Sequence, residues 1–306
     1  MRLLALADDL TGALEVGAKL GAPVRLFGPP LETLMPEVLV INTESRHLDP
    51  AHAAQRVRDT VAQYRPELIF KKTDSTLRGN IGPELGALGD SVIFVPAYPE
   101  LGRIVRGGHL YVDGQPLHQT PFAHDPHHPA RSSSVAQLLG EHAAAIRIHD
   151  AGTEAEVERI VLDALTRSPA PVLCGPANVA GYLGRALGLV PAGRGWRKAT
   201  RCLVVNGSLH RRSAEQMEYG LRQHWPGWSF IPEGYRATLP AALDTLIVFG
   251  GDTAFAILEA IGWSQLMPLG EIAPGVPVSR TGDLQLVTKA GGFGPVDVLT
   301  TIKEAL

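Results

Sequence analysis

The chain has 306 residues, more than one hydrophobic core usually serves, so two α/β domains are the default expectation. Apolar residues make up 45% and charged residues 19%, an ordinary globular balance. The formal net charge of -3, with no clustered basic face, argues against non-specific nucleic-acid binding and leaves small anionic ligands open.

The first apolar run, Leu3 to Ala7, stops at Asp8 and Asp9, too short for a signal h-region or a membrane span, and a cytoplasmic protein with no membrane partner is expected. Asp8 and Asp9 open a helix at Leu10, where capping and metal or hydroxyl binding both suit them. RLLALA, PVRLF, VLVIN, LIFKK, VIFVP, AIRIH and PVLC read as strands up to about residue 188. Leu10 to Leu20, Ala51 to Tyr64, Glu154 to Thr166 and Val179 to Leu187 read as helices, and Asp49-Pro50 as an N-cap followed by a first helical position. Such alternation predicts an α/β fold with a mostly parallel sheet covered on both faces.

The run LIFKKTDSTLRGN, residues 68 to 80, ends a buried strand in Lys71, Lys72, Thr73, Asp74, Ser75, Thr76 and Arg78. Ligands in open α/β sheets bind beyond the carboxyl ends of the strands, so this is a candidate anion-handling cluster. Thr43, Glu44, Ser45 and Arg46 follow the third strand in the same way, and if strands one, three and four are neighbours, the three clusters meet in one cleft. HLYVDGQPLH, residues 109 to 118, carries a hairpin signal at Asp113-Gly114, suited to a flap over the sheet edge. Tyr98, Pro99, Arg103 and His109 are expected at the cleft rim. His118, His124, His127 and His128 crowd a proline-rich loop whose spacing favours structural or solvated histidines over a zinc site. Cys174 and Cys202 are too few for a disulfide framework and read as small core residues.

Residues 189 to 201, rich in Gly, Pro and basic side chains, interrupt the periodicity and place a domain boundary there. A second α/β unit follows, with strands CLVVN, WSFI, TLIVF, VPVS and LQLVTK, and neither half contains an internal repeat or a low-complexity tract. TLIVFGGDTAFAILEAIG is a strand, a Gly-Gly turn and a helix, whose backbone N–H groups at Asp252 and Thr253 could face a phosphate. TKAGGFG (288 to 294), with Lys289, Gly291 and Gly292, and NGSLHRRS (206 to 213), with Ser208, add two more turns of that kind. Three of them in one half favour a polyphosphate site, although no GxxxxGK(S/T) loop, GxGxxG fingerprint or HRD/DFG set occurs.

These stretches resemble the four-carbon acid sugar kinases, which phosphorylate threonate, erythronate, 3-oxo-tetronate and similar acids with ATP. The matching motifs are ADDLTGA at 7 to 13, NTESR at 42 to 46, KKTDSTLRGNIGPEL at 71 to 85 and PAYPELGR at 96 to 103, then NGS at 206 to 208, GGDTA at 250 to 254 and TKAGGFG. They span essentially the whole chain. The resemblance implies an acid-sugar domain over residues 1–190, a nucleotide domain over 200–306, each a mostly parallel sheet flanked by helices, and ATP with Mg2+ as cofactors. Two departures stand out. Fewer residues separate NGS from GGDTA than is typical, so part of the nucleotide half is trimmed, and CGPANVAG (174 to 181) replaces a stretch closer to GSAGLA.

Under that resemblance, Asp8, Asp9, Arg46, Lys72, Asp74, Ser75 and Arg78 are the expected substrate residues. Asp74 is the preferred general base and Asp9 the second candidate. Arg78, with Arg46 or Lys72, would meet the carboxylate or the transferring phosphoryl group, and Ser208, Gly250, Gly251, Asp252, Thr253, Lys289, Gly291 and Gly292 would hold the nucleotide. An acid-sugar lyase working through a lysine, or a non-catalytic acid-sugar sensor, stays open as an alternative, as does a homo-oligomer.

Overall fold

A computed structural model describes residues 1–28, 36–193, 195–233, 239–240, 242–263 and 265–306. The first half runs β1 (Leu3–Ala7), α1 (Leu10–Leu20), β2 (Val24–Leu26), β3 (Val38–Asn42), α2 (Pro50–Tyr64), β4 (Leu68–Lys72), α3 (Ile81–Gly86) and β5 (Val92–Phe94). It continues through β6 (Arg103–Arg106), β7 (His109–Val112), β8 (Gln115–Pro116), α4 (Val135–Leu139), β9 (Ile146–Ile148), α5 (Glu154–Leu165), β10 (Val172–Gly175) and α6 (Ala177–Ala186). The second half runs β11 (Cys202–Asn206), α7 (Arg211–Arg222), β12 (Trp228–Ile231), β13 (Thr245–Phe249), α8 (Gly251–Ala260), β14 (Gln265–Ala273), β15 (Val276–Thr281), β16 (Leu284–Lys289) and α9 (Val298–Ala305). In the segment expected to divide the halves, residue 194 lies outside the described residues.

The strands of both halves join one sheet in the order β12-β11-β13-β16-β15-β14-β2-β3-β1-β4-β10-β5-β9. Its two ends are parallel, as the βα alternation requires, while β14, β15 and β16 form an antiparallel run and β14 pairs antiparallel with β2. Strand β14 and the short β6 were not expected from the sequence. Pro268 and register shifts on either side of Gly270 break the two-residue alternation that would have marked β14. Strand β6 pairs with the anticipated hairpin to make a separate three-stranded sheet.

Local signals act where they were read. Asp9 caps α1 by accepting from Gly12 N, and Gly21 closes it at φ 62. Asp49 caps α2 with Pro50 in its first turn. Helix α1 is buried along nearly its whole length and touches α6, β3, β14, β15 and α8, so the largest core cluster holds residues of both halves, among them Leu14, Val248 and Ile257. Cys174 and Cys202 are free and buried.

Candidate active site between the two halves

Strand β1 lies between β3 and β4 in parallel, with Ala7 level with Asn42 and with Lys72. The residues after the three strands therefore emerge side by side, as the clustering of their polar residues anticipated. At the centre is Arg46. Its Nε donates to Asp8 Oδ2 at 2.7 Å, and its Nη2 lies 2.9 Å from Asp9 Oδ1 and 3.7 Å from Asp74 Oδ1. Burial raises the carboxyl of Asp8, but Arg46, Lys71 and Lys72 outweigh it and hold Asp8 at about 2. The neighbouring Thr43 and Ser45 are structural: Thr43 bonds the carbonyl of Ala7, and Ser45 bonds Glu84.

Alternation along β4 sends its two lysines to opposite faces of the sheet. Lys71 is fully buried and pairs with Glu84 at 2.9 Å, so it belongs to the core rather than to the anion-handling cluster where its sequence position put it. Lys72 lies against Gly12 of α1, close enough that a Cβ there would sit 2.6 Å from its Nζ. That ammonium has no hydrogen-bond or ion-pair partner among the described residues. Asp74 is the reverse case. Its Oδ1 pairs with Arg78 Nη2 at 2.8 Å, and its Oδ2 accepts from Thr76 N, Thr76 Oγ1 and Arg78 Nε at 3.0, 2.6 and 3.0 Å. Burial opposes ionisation, yet Arg78 and Arg46 hold this carboxyl well below the usual carboxylate range. Arg78 also reaches Asp125 at 3.5 Å and lies over the Phe122 ring.

In the second half, Asn206 is level with Phe249, and Phe249 with Lys289, so three glycine turns leave the sheet together. They interlock. A Cβ on Gly207 would lie 1.7 Å from Thr253 Oγ1, and one on Gly291 1.9 Å from Ser208 Oγ. Gly250, at φ 110, admits the α8 N-terminus, whose first N–H groups have no acceptor within the helix. Lys289 does not face the opening. Its Nζ, over the Phe249 ring, donates to the carbonyls of Ala290, Gly291 and Phe293 at 2.8, 3.2 and 3.0 Å, tying down the loop from behind. Burial, then Arg212, pushes its amine down to about 7.

The two sets of turns face each other across a cleft of about 760 Å³. Of the anticipated residues, Asp9, Arg46, Ser75, Arg78, Ser208, Gly250 to Thr253, Gly291 and Gly292 line it. Lys72 and Asp74 line a smaller inner pocket that shares Asp9, Arg46 and Arg78 with the cleft, while Asp8 and Lys289 lie behind the walls. The halves come closest where Asp9 Oδ2 stands 3.1 Å from the position a Cβ of Gly251 would take. His124, His127 and His128 also line the cleft; His47 stacks on His128 and faces Asp252 across it at 3.4 Å, whereas His118 is tied to Ser133. Tyr98 reaches the inner pocket, Arg103 lies over the Phe293 ring, and His109 is exposed and bonded to Gly107. Sequence reasoning missed Thr11, Glu15 and Arg212. For Glu15 a signal existed, a lone carboxylate inside the apolar run of α1.

The fold and its two facing sets of turns describe a two-part protein, and comparison with known families gives each part a description. Residues 3–174 match the sugar-binding N-terminal domain and residues 230–299 the nucleotide-binding C-terminal domain of one family. The chain belongs to the four-carbon acid sugar kinase family. It is 30% identical to a D-threonate kinase of Bordetella bronchiseptica over 393 aligned positions, covering 98% of this chain and 96% of that protein. A D-erythronate kinase of Heliobacterium modesticaldum is 38% identical over 151 positions, 44% of this chain and 34% of its own length. The crystal structure of a Haemophilus influenzae protein matches with a TM-score of 0.67 over 98% of this chain and 99% of its own at 18% identity, a likeness of fold. The alignment, 393 positions against a chain of 306 residues, leaves gaps in this chain.

Proposed function

We propose that the protein transfers the terminal phosphoryl group of ATP to a hydroxyl of a four-carbon acid sugar such as threonate, erythronate or 3-oxo-tetronate. Residues 1–190 would hold the acid and 200–306 the nucleotide. The observation that carries this reading is the approach of Asp9 to Gly251, where a carboxylate of the sugar side meets a glycine turn able to admit phosphate.

The carboxylate of the substrate goes to Lys72. The Lys72 ammonium lies near the carboxylates of Asp8, Asp74 and Glu15 without bonding any of them and lines the inner pocket, so it can take an incoming anion, whereas Arg46 and Arg78 already have carboxylates bound to them. Arg78, partly exposed to the cleft, is free to turn a remaining N–H toward the moving phosphoryl group. The general base is Asp9 rather than Asp74. The Oδ1 of Asp9 carries both the helix cap and the Arg46 contact, which leaves Oδ2 on the cleft side to take the proton of the attacking hydroxyl.

Asp252 is the carboxylate that would contact Mg2+, with Asp9 kept for the proton. The charge of both is felt at Glu44, where burial first and then Asp9 and Asp252 push the carboxyl up to about 7. Among the described residues no group of three or more His, Cys, Asp or Glu has metal-binding geometry, so phosphate oxygens and water would supply most ligands, as Mg2+ prefers. When bound, the ion neutralises phosphate charge.

The test is ADP release in a screen of four-carbon acids and their matching alditols. Acids should be preferred by roughly 10-fold or more, the worth of one charge-assisted bond. Absence of acid-dependent ADP release would overturn the reading.

A further inference from the structure

Behind Asp9 and Arg46, the inner pocket offers about 30 Å³, room for roughly two waters or small polar groups. Its wall contains an acid that the phosphoryl-transfer scheme does not use. Glu15 lies one turn along α1 from Gly12, against which Lys72 rests, and it is 4% exposed. It accepts a hydrogen bond from Tyr98 Oη at 3.0 Å on Oε1, and among the described residues it has no other. Two more polar atoms line this pocket without a hydrogen-bond partner among the described residues: Thr11 Oγ1, which is buried, and Lys72 Nζ. A buried hydroxyl is rarely left unsatisfied, and Thr11 Oγ1 beside an unbonded ammonium and a carboxylate points to a ligand carrying both an anion and a hydroxyl.

We propose that Glu15, held by Tyr98, is a specificity-determining residue that hydrogen-bonds the hydroxyl on the carbon next to the substrate carboxylate. This rests on reading the cleft as an acid-sugar site. With the carboxylate on Lys72, the α-hydroxyl is the substrate group that falls within reach of the same face of α1. The remaining carbons extend past Asp9 into the cleft, where a hydroxyl meets the nucleotide side. Burial, then the nearby Glu271, pushes Glu15 up to about 7, against Lys19 and Lys72, so near neutrality the group exchanges between donor and acceptor and suits a hydroxyl better than a cation. Tyr98 and Pro176 also line the pocket, whose small volume leaves little room for a longer acid at this end.

Calorimetry tests this directly. The stereoisomers of 2,3,4-trihydroxybutanoate and the analogue 3,4-dihydroxybutanoate, which lacks only the α-hydroxyl, are titrated into wild type, Glu15→Gln and Glu15→Met. Wild type should bind its best trihydroxy acid at least about 10-fold more tightly than the dihydroxy acid. Glu15→Met, of similar size, should bring that ratio below about threefold with the dihydroxy affinity little changed, and Glu15→Gln should keep most of it. An unchanged ratio in Glu15→Met, equal loss of both acids in both variants, or no acid bound by wild type would overturn the inference; should Glu15→Met not fold, the ratio in Glu15→Ala decides. ADP release is followed in parallel. Acids bound with the expected ratio but never phosphorylated would refute the kinase reading and leave this one standing.

Discussion

A carboxylate serves as a base only if one of its oxygens can receive a proton, and that separates two aspartates whose sequence settings look alike. Both oxygens of Asp74 are occupied, by Arg78 and Thr76, and it is held ionised more firmly than any useful base. Asp9 keeps Oδ2 toward Gly251. Asp9→Asn should therefore lower kcat at least ~100-fold, the lower range for loss of a general base, with ATP affinity nearly unchanged. Asp74→Asn should act mainly on KM, by loosening Arg78 beside the substrate. Steady-state kinetics of both variants with a four-carbon acid decide the matter, and a near wild-type kcat in Asp9→Asn would return the role to Asp74. The residue types at this site were legible in the sequence because polar runs end three apolar strands. Their pairing was not legible, since which lysine faces the core depends on the pleat and which arginine is already neutralised depends on strand order.

At the level of elements, the second half gains its cradle by stacking three glycine turns so tightly that each glycine occupies space a side chain would need. Gly207→Ala would drive a Cβ to 1.7 Å from Thr253 Oγ1 and 2.4 Å from Thr253 Cβ, displacing the first turn of α8 where phosphate would bind. ATP affinity should fall at least ~10-fold, a change of about 1.4 kcal/mol. The double variant Gly207→Ala with Thr253→Gly removes the obstructing atoms and should recover much of that loss. Calorimetric titration of ATP into the single and double variants measures the coupling, and an equal loss in both would show that the clash is not the cause. The turns were visible as two Gly-Gly pairs and one Gly-Ser step after apolar strands. The role of Lys289 was not, because a lysine next to a glycine loop reads as a phosphate ligand until its three carbonyl acceptors are seen.

For the whole molecule the question is whether the halves are energetically separate. The boundary near residue 190 was read from composition, and among the described residues no strand or helix lies between α6 and β11. Yet β14 of the second half pairs with β2 of the first, Lys19 of α1 pairs with Glu271 of β14 at 2.7 Å, and α1 packs on elements of both halves. A sequence shows none of this, because pairing across the seam involves a bulged strand with a proline in it. A shared core should make unfolding cooperative throughout. Trp225, Trp228 and Trp263 lie in the second half and Trp196, in the joining segment, packs on its core, so tryptophan fluorescence reports that half while far-UV circular dichroism reports the whole chain. The two signals should give one coincident transition in denaturant. Leu14→Ala, a cavity in a first-half helix, should destabilise by ~2–5 kcal/mol and move both transitions together. If the circular dichroism transition shifts and the tryptophan transition stays in place, the halves unfold independently, and α1 does not couple the sugar side to the nucleotide side.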